Sequence, residues 1–238
     1  MKDIVIIPTY NEKDNIEPLV REVFATVPGI HIMVTDDSSP DGTGQIVERL
    51  QGEFPKLKLY KRSEKNGLGA AYIASFAKIL SEEIDVEHII MMDGDYSLHP
   101  RYLPEILRLG ENHDMVIGSR YINGGRIEEW TFRRRVLSYG ASIYLRILLS
   151  PKIRDWTCGY CCIKKSALQK INLKEITFTG YAFISGLKYY ILKSGADVVE
   201  TPITLEARRG GESKMSGFVI KEGIIGPWQI LLKNLRSR

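Results

Sequence analysis

The first half of the chain alternates short β-branched runs with longer stretches of helical periodicity. The runs predict strands at residues 4–7, 32–34, 57–60, 89–92 and 115–117. The stretches between them predict helices at residues 11–27, 44–50, 70–80 and 103–109, the first with Asn11 as its N-cap. Because the run at residues 4–7 is apolar on both faces, it suits a buried strand. We therefore expect an α/β fold with a mostly parallel central sheet and right-handed crossovers.

The second half is less regular. Helices are predicted at residues 133–149 and 181–193, an extended segment at 155–163 and a strand at 198–205. Residues 207–217 form a charged loop rich in Gly and Ser that we predict to be mobile. Residues 218–235 have helical apolar spacing interrupted by Pro227. The chain is thus expected to form one domain, residues 1–217, followed by an amphipathic tail, residues 218–238.

Charge is distributed unevenly along the chain. The net charge of the 238 residues is only +4, but residues 1–119 carry 12 basic and 20 acidic side chains. Residues 120–238 carry 21 basic and 9 acidic side chains. A nucleic-acid-binding protein would use the basic half on phosphates, but that class does not explain the acidic first half. We therefore expect no nucleic-acid partner.

Composition excludes several other classes. Hydrophobic residues make up 44% of the chain and charged residues 26%, which is typical of a globular protein. No apolar run approaches the roughly 20 residues of a membrane span, and no signal-peptide pattern opens the chain. Three cysteines are too few for a disulfide framework and fit a reducing compartment.

Polar residues follow the predicted strands, where ligands bind in sheets of this kind. The most specific group is Asp93-Gly94-Asp95, directly after the strand at 89–92. Two carboxylates at this spacing can hold Mg²⁺ or Mn²⁺, although an Asp-Gly pair is also common in turns. Residues 35–43 read as either a nucleoside-binding loop or an ordinary acidic helix cap. Residues 66–69 read as either a phosphate-facing glycine turn or a site of close helix packing.

Taken together, these segments resemble the inverting glycosyltransferases of family 2, which have a GT-A (Rossmann-like) fold. The matching segments, in chain order, are residues 7–12, 36–43, 67–72, 92–95 and 118–125. The later run Arg208-Arg209-Gly210-Gly211-Glu212-Ser213-Lys214 resembles the R-x-x-G-E-S-K loop of dolichol-phosphate mannose synthases. The resemblance extends over nearly the whole chain.

The resemblance implies an inverting transfer of a sugar, first of all mannose from GDP-mannose, onto dolichyl or another polyprenyl phosphate. Residues 1–119 would bind the nucleotide and metal, and residues 120–217 the acceptor. The implied nucleoside pocket is lined by Pro8, Tyr10, Glu12 and one or both of Asp36 and Asp37. Asp93 and Asp95 would hold Mg²⁺ or Mn²⁺ against the diphosphate, and Gly94 would leave room for the donor. Arg120, Arg208 and Lys214 would contact the donor diphosphate or the acceptor phosphate, and with Asp95 they are the implied catalytic residues.

One departure from the family pattern weighs on this interpretation. No carboxylate follows Gly180-Tyr181-Ala182-Phe183, where family members often carry one, so the position near Gly186 lacks an acid. The alternatives are therefore a glucosyltransferase that uses UDP-glucose, or a catalytically weak nucleotide-sugar-binding subunit of a membrane complex. Asp155 reads equally as a site residue or as the cap of a turn.

The basic, apolar-rich helix at 133–149 suits a membrane interface, the alternative being a core helix with an exposed basic end. We expect a peripheral protein on the cytoplasmic side of a membrane: the endoplasmic reticulum in a eukaryote, the plasma membrane in a prokaryote. The tail could pack on the domain, enter lipid or bind a small membrane-anchoring subunit.

Overall fold

The computed structural model describes residues 2–82, 85–178, 180, 182–206 and 217–236. Its strands are β1 Lys2–Thr9, β2 His31–Asp36, β3 Leu57–Lys61, β4 Val86–Met91, β5 Met115–Ser119, β6 Arg126–Ile127, β7 Cys161–Lys164, β8 Val198–Pro202 and β9 Thr204–Leu205. Its α-helices are α1 Lys13–Thr26, α2 Thr43–Gln51, α3 Leu68–Ser81, α4 Leu103–Gly110, α5 Phe132–Leu148, α6 Lys165–Gln169, α7 Ala182–Lys193 and α8 Gly217–Arg236. The predicted α/β class is confirmed.

Seven strands form the central sheet in the order β3-β2-β1-β4-β7-β5-β8. All neighbouring pairs are parallel except those of β7, which runs antiparallel to both β4 and β5. The chain proceeds from β1 outward through β2 and β3, then returns to place β4 on the other side of β1. The order of the strands therefore reverses between β1 and β4, and a crevice at such a reversal is the usual ligand site of an open α/β sheet.

The apolar character of β1 on both faces has a direct structural cause. Ile4 and Ile6 lie in a core cluster on one face of the sheet, with side chains of α3 and α7. Val5 and Ile7 lie in a second cluster on the other face, with side chains of α1, α2 and α4. Successive residues of a strand point to opposite faces, so a sheet covered on both sides requires an uninterrupted apolar run.

The expected Asn11 cap is wrong. Asn11 has a positive φ of 59°, and α1 begins at Lys13. Glu12 occupies the cap position and makes no capping hydrogen bond with its side chain. Its backbone N–H instead donates to Thr43 Oγ1 at 2.9 Å, so the start of α1 is tied to α2.

The single strand expected at 198–205 is wrong as well. It divides around Ile203 into β8, which pairs with β5 in the main sheet, and β9, which pairs with β6 in a two-stranded sheet. Local propensity does not distinguish one strand from two, because the division depends on which partners accept each half.

Helix α8 continues through Pro227, contrary to the expected interruption. Its packing on α7 is close: a Cβ added at Gly226 would lie 3.1 Å from the Cβ of Ala182. This tertiary contact stabilises a helix that proline alone would weaken. Within the described parts of the chain, none of the helices has the length and apolar character needed to cross a bilayer.

Candidate active site

The crevice between β1 and β4 brings the Asp-Gly-Asp motif against the end of the first strand. A Cβ added at Gly94 would lie 3.2 Å from the carbonyl oxygen of Pro8 and 3.3 Å from Thr9 Cγ2. Glycine thus allows the backbone after β4 to lie directly beside the backbone after β1. The motif and the Pro8 segment, 85 positions apart in the sequence, form one wall of the crevice.

The two carboxylates of the motif are held differently. Asp95 is buried, and its Oδ1 accepts hydrogen bonds from the N–H of Ser97 at 3.0 Å and from Ser97 Oγ at 2.6 Å. Asp93 is half-buried beside Gly159, where an added Cβ would lie 3.5 Å from Asp93 Oδ1. Burial, followed by the charges of Asp93 and Asp95, raises the pKa of Tyr72 well above its usual value. Both carboxylates therefore lie near enough to the Tyr72 hydroxyl to raise its pKa.

This donor set suits a hard divalent cation. Carboxylate oxygens are the ligands that Mg²⁺ and Mn²⁺ prefer, and Gly159 places no side chain beside the Asp93 carboxylate. In the part of the chain that the structure describes, no group of three or more His, Cys, Asp or Glu side chains could hold a metal by itself. A cation at Asp93 and Asp95 would therefore draw further ligands from a substrate or from water.

The structure separates the two acidic residues after β2. Asp36 is a structural carboxylate: it accepts hydrogen bonds from Thr9 Oγ1 at 2.8 Å and from the N–H of Ser39 at 3.0 Å. Asp37 is buried and paired with Arg62, whose Nη1 lies 2.7 Å from its Oδ1. Burial raises the pKa of Asp37, and the Arg62 charge acts in the opposite direction. Asp37 is thus the better candidate of the two for a ligand contact, since Asp36 serves the loop.

The other residues of the predicted nucleoside pocket lie at the end of β1. The ammonium of Lys65 lies 3.6 Å from the centre of the Tyr10 ring, a cation–π contact that fixes the ring's face. Glu12 is buried and accepts a hydrogen bond from Asn15 Nδ2 at 2.9 Å. Pro8 is half-buried beside Gly94. The structure therefore brings Pro8 to the Asp-Gly-Asp motif, while Glu12 contributes to the start of α1.

Arg120 follows β5 and forms a buried ion pair with Asp155. Arg120 Nε donates to Asp155 Oδ2 at 2.7 Å, and Arg120 Nη2 donates to Asp155 Oδ1 at 2.7 Å. The Arg120 N–H donates to the same carboxylate at 2.9 Å. Burial acts to raise the pKa of Asp155, but the charge and hydrogen bonds of Arg120 outweigh it and hold the pKa below its usual value. Asp155 thus orients Arg120.

The turn after Asp155 has supports that sequence reasoning missed. Lys188 of α7 is fully buried, and its Nζ donates to the carbonyl oxygens of Asp155 at 2.7 Å and Cys158 at 2.8 Å. Glu200 of β8 accepts the N–H groups of Arg154 and Asp155, each at 2.8 Å. The available signal was a lone Lys within the apolar run of residues 182–192.

A carboxylate does lie at the segment that lacks one in sequence. Glu222 of α8 accepts a hydrogen bond from the N–H of Gly180 at 3.2 Å, across 42 positions of sequence. At Gly186 itself, an added Cβ would meet the apolar side chains of Phe178, Ile176 and Ile230 at 3.4–3.7 Å. An acid at Gly186 would therefore point into an apolar contact in this chain.

Two predicted site residues, Arg208 and Lys214, lie outside the described residues. The three cysteines are free and buried, as expected. Burial raises the pKa of the Cys158 thiol to about 12 and that of Cys161 to about 11, so neither is suited to act as a thiolate near neutral pH.

Comparison with solved structures identifies the fold. The fold is that of the GT-A glycosyltransferases. A mannosyltransferase from Pyrobaculum calidifontis, solved with GDP-mannose and Mn²⁺, aligns with a TM-score of 0.63 at 17% identity, over 99% of this chain and 64% of that one. Glucosyl-3-phosphoglycerate synthase from Mycobacterium tuberculosis, solved with Mn²⁺ and UDP-glucose, aligns with a TM-score of 0.65 at 18% identity, over 95% of this chain and 79% of that one.

The chain belongs to glycosyl transferase family 2, whose profile matches residues 4–172. It is 40% identical to the polyprenol monophosphomannose synthase of Mycolicibacterium smegmatis, over 100% of this chain and 90% of the relative. It is 37% identical to the undecaprenyl-phosphate mannosyltransferase of Micrococcus luteus, over 94% and 92% of the two chains. The dolichol-phosphate mannosyltransferase of Pyrococcus furiosus is 35% identical over 93% of this chain, which spans 61% of that relative. The resemblance to dolichol-phosphate mannose synthases is confirmed.

Proposed function

We propose that this protein transfers mannose from GDP-mannose to a polyprenyl phosphate, with inversion at the anomeric carbon. The observation that carries the proposal is the meeting of Asp93 and Asp95 with the end of β1 at the strand-order reversal. The choice of sugar and acceptor is supported by the match to two polyprenyl-phosphate mannosyltransferases, which extends over 90% and 92% of their lengths.

The donor would lie across the crevice. Tyr10 and Asp37 would contact the nucleoside, and Gly94, which packs against Pro8, would keep the Asp-Gly-Asp motif beside the end of β1. Asp93 and Asp95 would hold Mg²⁺ or Mn²⁺, which would supply positive charge against the diphosphate. The remaining roles of this chain are to orient the donor and to exclude water from the anomeric carbon.

The acceptor needs positioning more than activation. A phosphate monoester is largely ionised near neutral pH, with a second pKa of about 6, so it is already a nucleophile and a general base is not required. Its approach to an anionic diphosphate must be offset by cations. Arg120, held by Asp155, is one such cation, and we assign the same task to Arg208 and Lys214.

Two helices in direct contact form the proposed membrane surface. Tyr144 Oη of α5 donates to the carbonyl oxygen of Ile224 of α8 at 2.7 Å. Both helices carry exposed apolar side chains at helical spacing: Phe132, Val136, Tyr139, Ile143 and Ile147 on α5, and Ile224, Trp228 and Leu232 on α8. Phe132 is 80% exposed and Ile147 79%. We name this set the α5–α8 surface.

The charge beside this surface favours a bilayer over a protein partner. Arg133 and Arg135, both exposed, lie at the start of α5 and would reach anionic lipid phosphates. We therefore propose peripheral association with the cytoplasmic side of a membrane, where three free thiols would remain reduced. The alternative occupant of the α5–α8 surface is a small membrane-anchoring subunit. If the purified chain binds vesicles of pure lipid, the surface contacts the bilayer directly; if it does not, a subunit is needed.

The test is transfer by purified protein to a polyprenyl phosphate in detergent, with Mn²⁺ or Mg²⁺ and a panel of labelled nucleotide sugars. We expect a lipid-linked product from GDP-mannose that is lost on chelation. If only UDP-glucose gives product, the transferred sugar is glucose and the proposed donor is wrong. Absence of product from every donor, with folded protein and active lipid, would contradict the enzyme assignment and favour a binding subunit.

A further inference from the structure

Lys188 is a buried cation with two main-chain acceptors. Its side chain is inaccessible to solvent, and its Nζ bonds the carbonyl oxygens of Asp155 and Cys158 at 2.7 and 2.8 Å. Burying an ammonium is costly unless hydrogen bonds and opposite charge compensate it. The carboxylate of Asp155, whose pKa the Lys188 charge also lowers, supplies that charge nearby.

The two carbonyls that Lys188 bonds belong to opposite ends of one turn. Inside the turn, Asp155 Oδ1 accepts the N–H groups of Thr157 at 3.2 Å and Cys158 at 3.1 Å. Lys188 therefore bonds the carbonyl oxygens at the two ends of the turn, while the Asp155 carboxylate bonds two of its N–H groups. Both donors and acceptors of the turn's main chain are thus held by side chains.

This turn connects the two parts of the proposed site. At its beginning, Asp155 makes the paired bonds to Arg120, and Thr157 Oγ1 accepts a further bond from Arg120 Nη2 at 2.6 Å. At its end, Cys158 leads into Gly159, which lies against the Asp93 carboxylate. A shift of the turn would move both the guanidinium and the wall beside Asp93.

We propose that Lys188 is a positioning residue for sugar transfer, acting through the 155–158 turn on Arg120 and on the space around Asp93. The inference rests on the proposed function. It gives the buried side chain of Lys188 a part in setting the geometry of Arg120, the cation that the proposed function assigns to the phosphates. Small displacements of such groups cost large factors in rate.

The first experiment compares Lys188→Met with wild type. Met keeps the length and apolar stem of Lys but donates no hydrogen bonds, so both carbonyls lose their partner. We expect kcat to fall on the order of tenfold or more, with little change in KM for the donor. Lys188→Arg, which can donate to both carbonyls, should recover part of the rate. Lys56→Met removes a Lys-to-carbonyl bond, at 2.8 Å to Gly29, far from the site and should leave the rate unchanged.

The second experiment separates positioning from general loss of stability. Arg120→Lys keeps the charge beside Asp155 but loses the paired guanidinium geometry. If Lys188 acts through Arg120, adding Lys188→Met to Arg120→Lys should lower kcat by much less than it does in wild type. An equal loss in both backgrounds would overturn the proposal. If Lys188→Met does not fold, Lys188→Gln, which keeps one donor, takes its place in the same cycle.

Hydrogen exchange keeps the test independent of the assigned reaction. In wild type the amides of Thr157 and Cys158 should be strongly protected, and Lys188→Met should raise their exchange more than that of amides in β1. Unchanged protection would refute the role of Lys188 even if transfer is observed. Altered protection in a protein without transfer would leave the turn assignment standing and overturn the proposed function alone.

Discussion

At the scale of single residues, Asp95 offers the sharpest test of the crevice. Asp95→Asn keeps the shape and an oxygen that can accept the bonds from Ser97, so the fold should remain intact. It removes one of the two carboxylate charges that would hold the divalent cation against the diphosphate, and we expect transfer to fall on the order of 100-fold. Initial rates with labelled GDP-mannose and a thermal melt measure the two effects.

Asp114→Asn is the matched control for that variant. Asp114 accepts the N–H of Asp197 at 2.9 Å, at the opposite end of β5 from the crevice, and Asn can accept the same bond. Its rate should equal that of wild type. Full transfer by Asp95→Asn, or by wild type with all divalent metal chelated, would remove the carboxylate pair from the mechanism.

Asp155 should make the free energy of unfolding depend on pH in the acid range. Its folded pKa lies below that of the unfolded chain, about 3.9. Its pairing with Arg120 therefore stabilises the fold above about pH 4, and this contribution is lost as pH falls through the folded pKa. Asp155→Asn should be less stable at pH 7 by about 3–5 kcal/mol, because it leaves Arg120 buried without a counter-charge.

Urea unfolding from pH 7 to pH 3 measures this contribution. The gap in unfolding free energy between wild type and Asp155→Asn should narrow as the pH falls, since protonated Asp155 no longer pairs with Arg120. Asp114→Asn, in the same series, should follow wild type. A gap that stays constant down to pH 3 would show that the ion pair adds nothing to stability.

At the scale of secondary-structure elements, the α5–α8 surface predicts how the protein meets lipid. Replacing Ile147 and Trp228 together by Glu places charge on both helices, and binding to vesicles of equal parts phosphatidylcholine and phosphatidylglycerol should weaken at least about tenfold. Transfer to a short, water-soluble polyprenyl phosphate should persist. Cosedimentation measures binding, and a blue shift of tryptophan fluorescence on vesicles that is seen in wild type and lost in Trp228→Phe reports the entry of Trp228 into lipid.

Lys58→Glu on the exposed side of β3 serves as the control, because it adds negative charge at the far edge of the sheet. It should reduce binding only slightly. An equal loss of vesicle binding in Lys58→Glu and in the double variant would indicate that binding depends on long-range charge and not on insertion of apolar side chains. Undiminished binding of the double variant would assign the surface to a protein partner.

At the scale of the whole molecule, donor binding should stabilise the fold only when metal is present. A ligand at one hundred times its Kd adds about 2.7 kcal/mol, which shifts the melting temperature of a chain this size by several degrees. We expect GDP with Mn²⁺ to give such a shift, and UDP with Mn²⁺ or GDP with chelator to give much less. Thermal melts with ADP as the unrelated nucleotide provide the baseline, and an equal shift from UDP would contradict the guanine preference.

The amino-acid sequence was sufficient for the features that depend on near neighbours. The buried strands followed from uninterrupted apolar runs, the helices from apolar spacing, and the placement of the Asp-Gly-Asp motif after β4 from the apolar run that precedes it. Errors occurred where a distant partner decides the outcome. Thr43 ties down the backbone at Glu12, and β5 and β6 each claim one half of the 198–205 segment.

What the sequence determined by itself is therefore the α/β class, the order of the main elements and the carboxylates at the strand ends, because each is encoded by a local pattern. The tertiary structure alone decided that Asp36 serves its loop while Asp37 pairs with Arg62, and that Asp155 orients Arg120. It also decided that Lys188 bonds the 155–158 turn and that Glu222 accepts the N–H of Gly180. Each of these assignments except the Asp36 loop bonds joins side chains or main-chain groups more than 20 positions apart. Buried polar groups must find partners, but which partner is in reach depends on how the helices pack on the sheet.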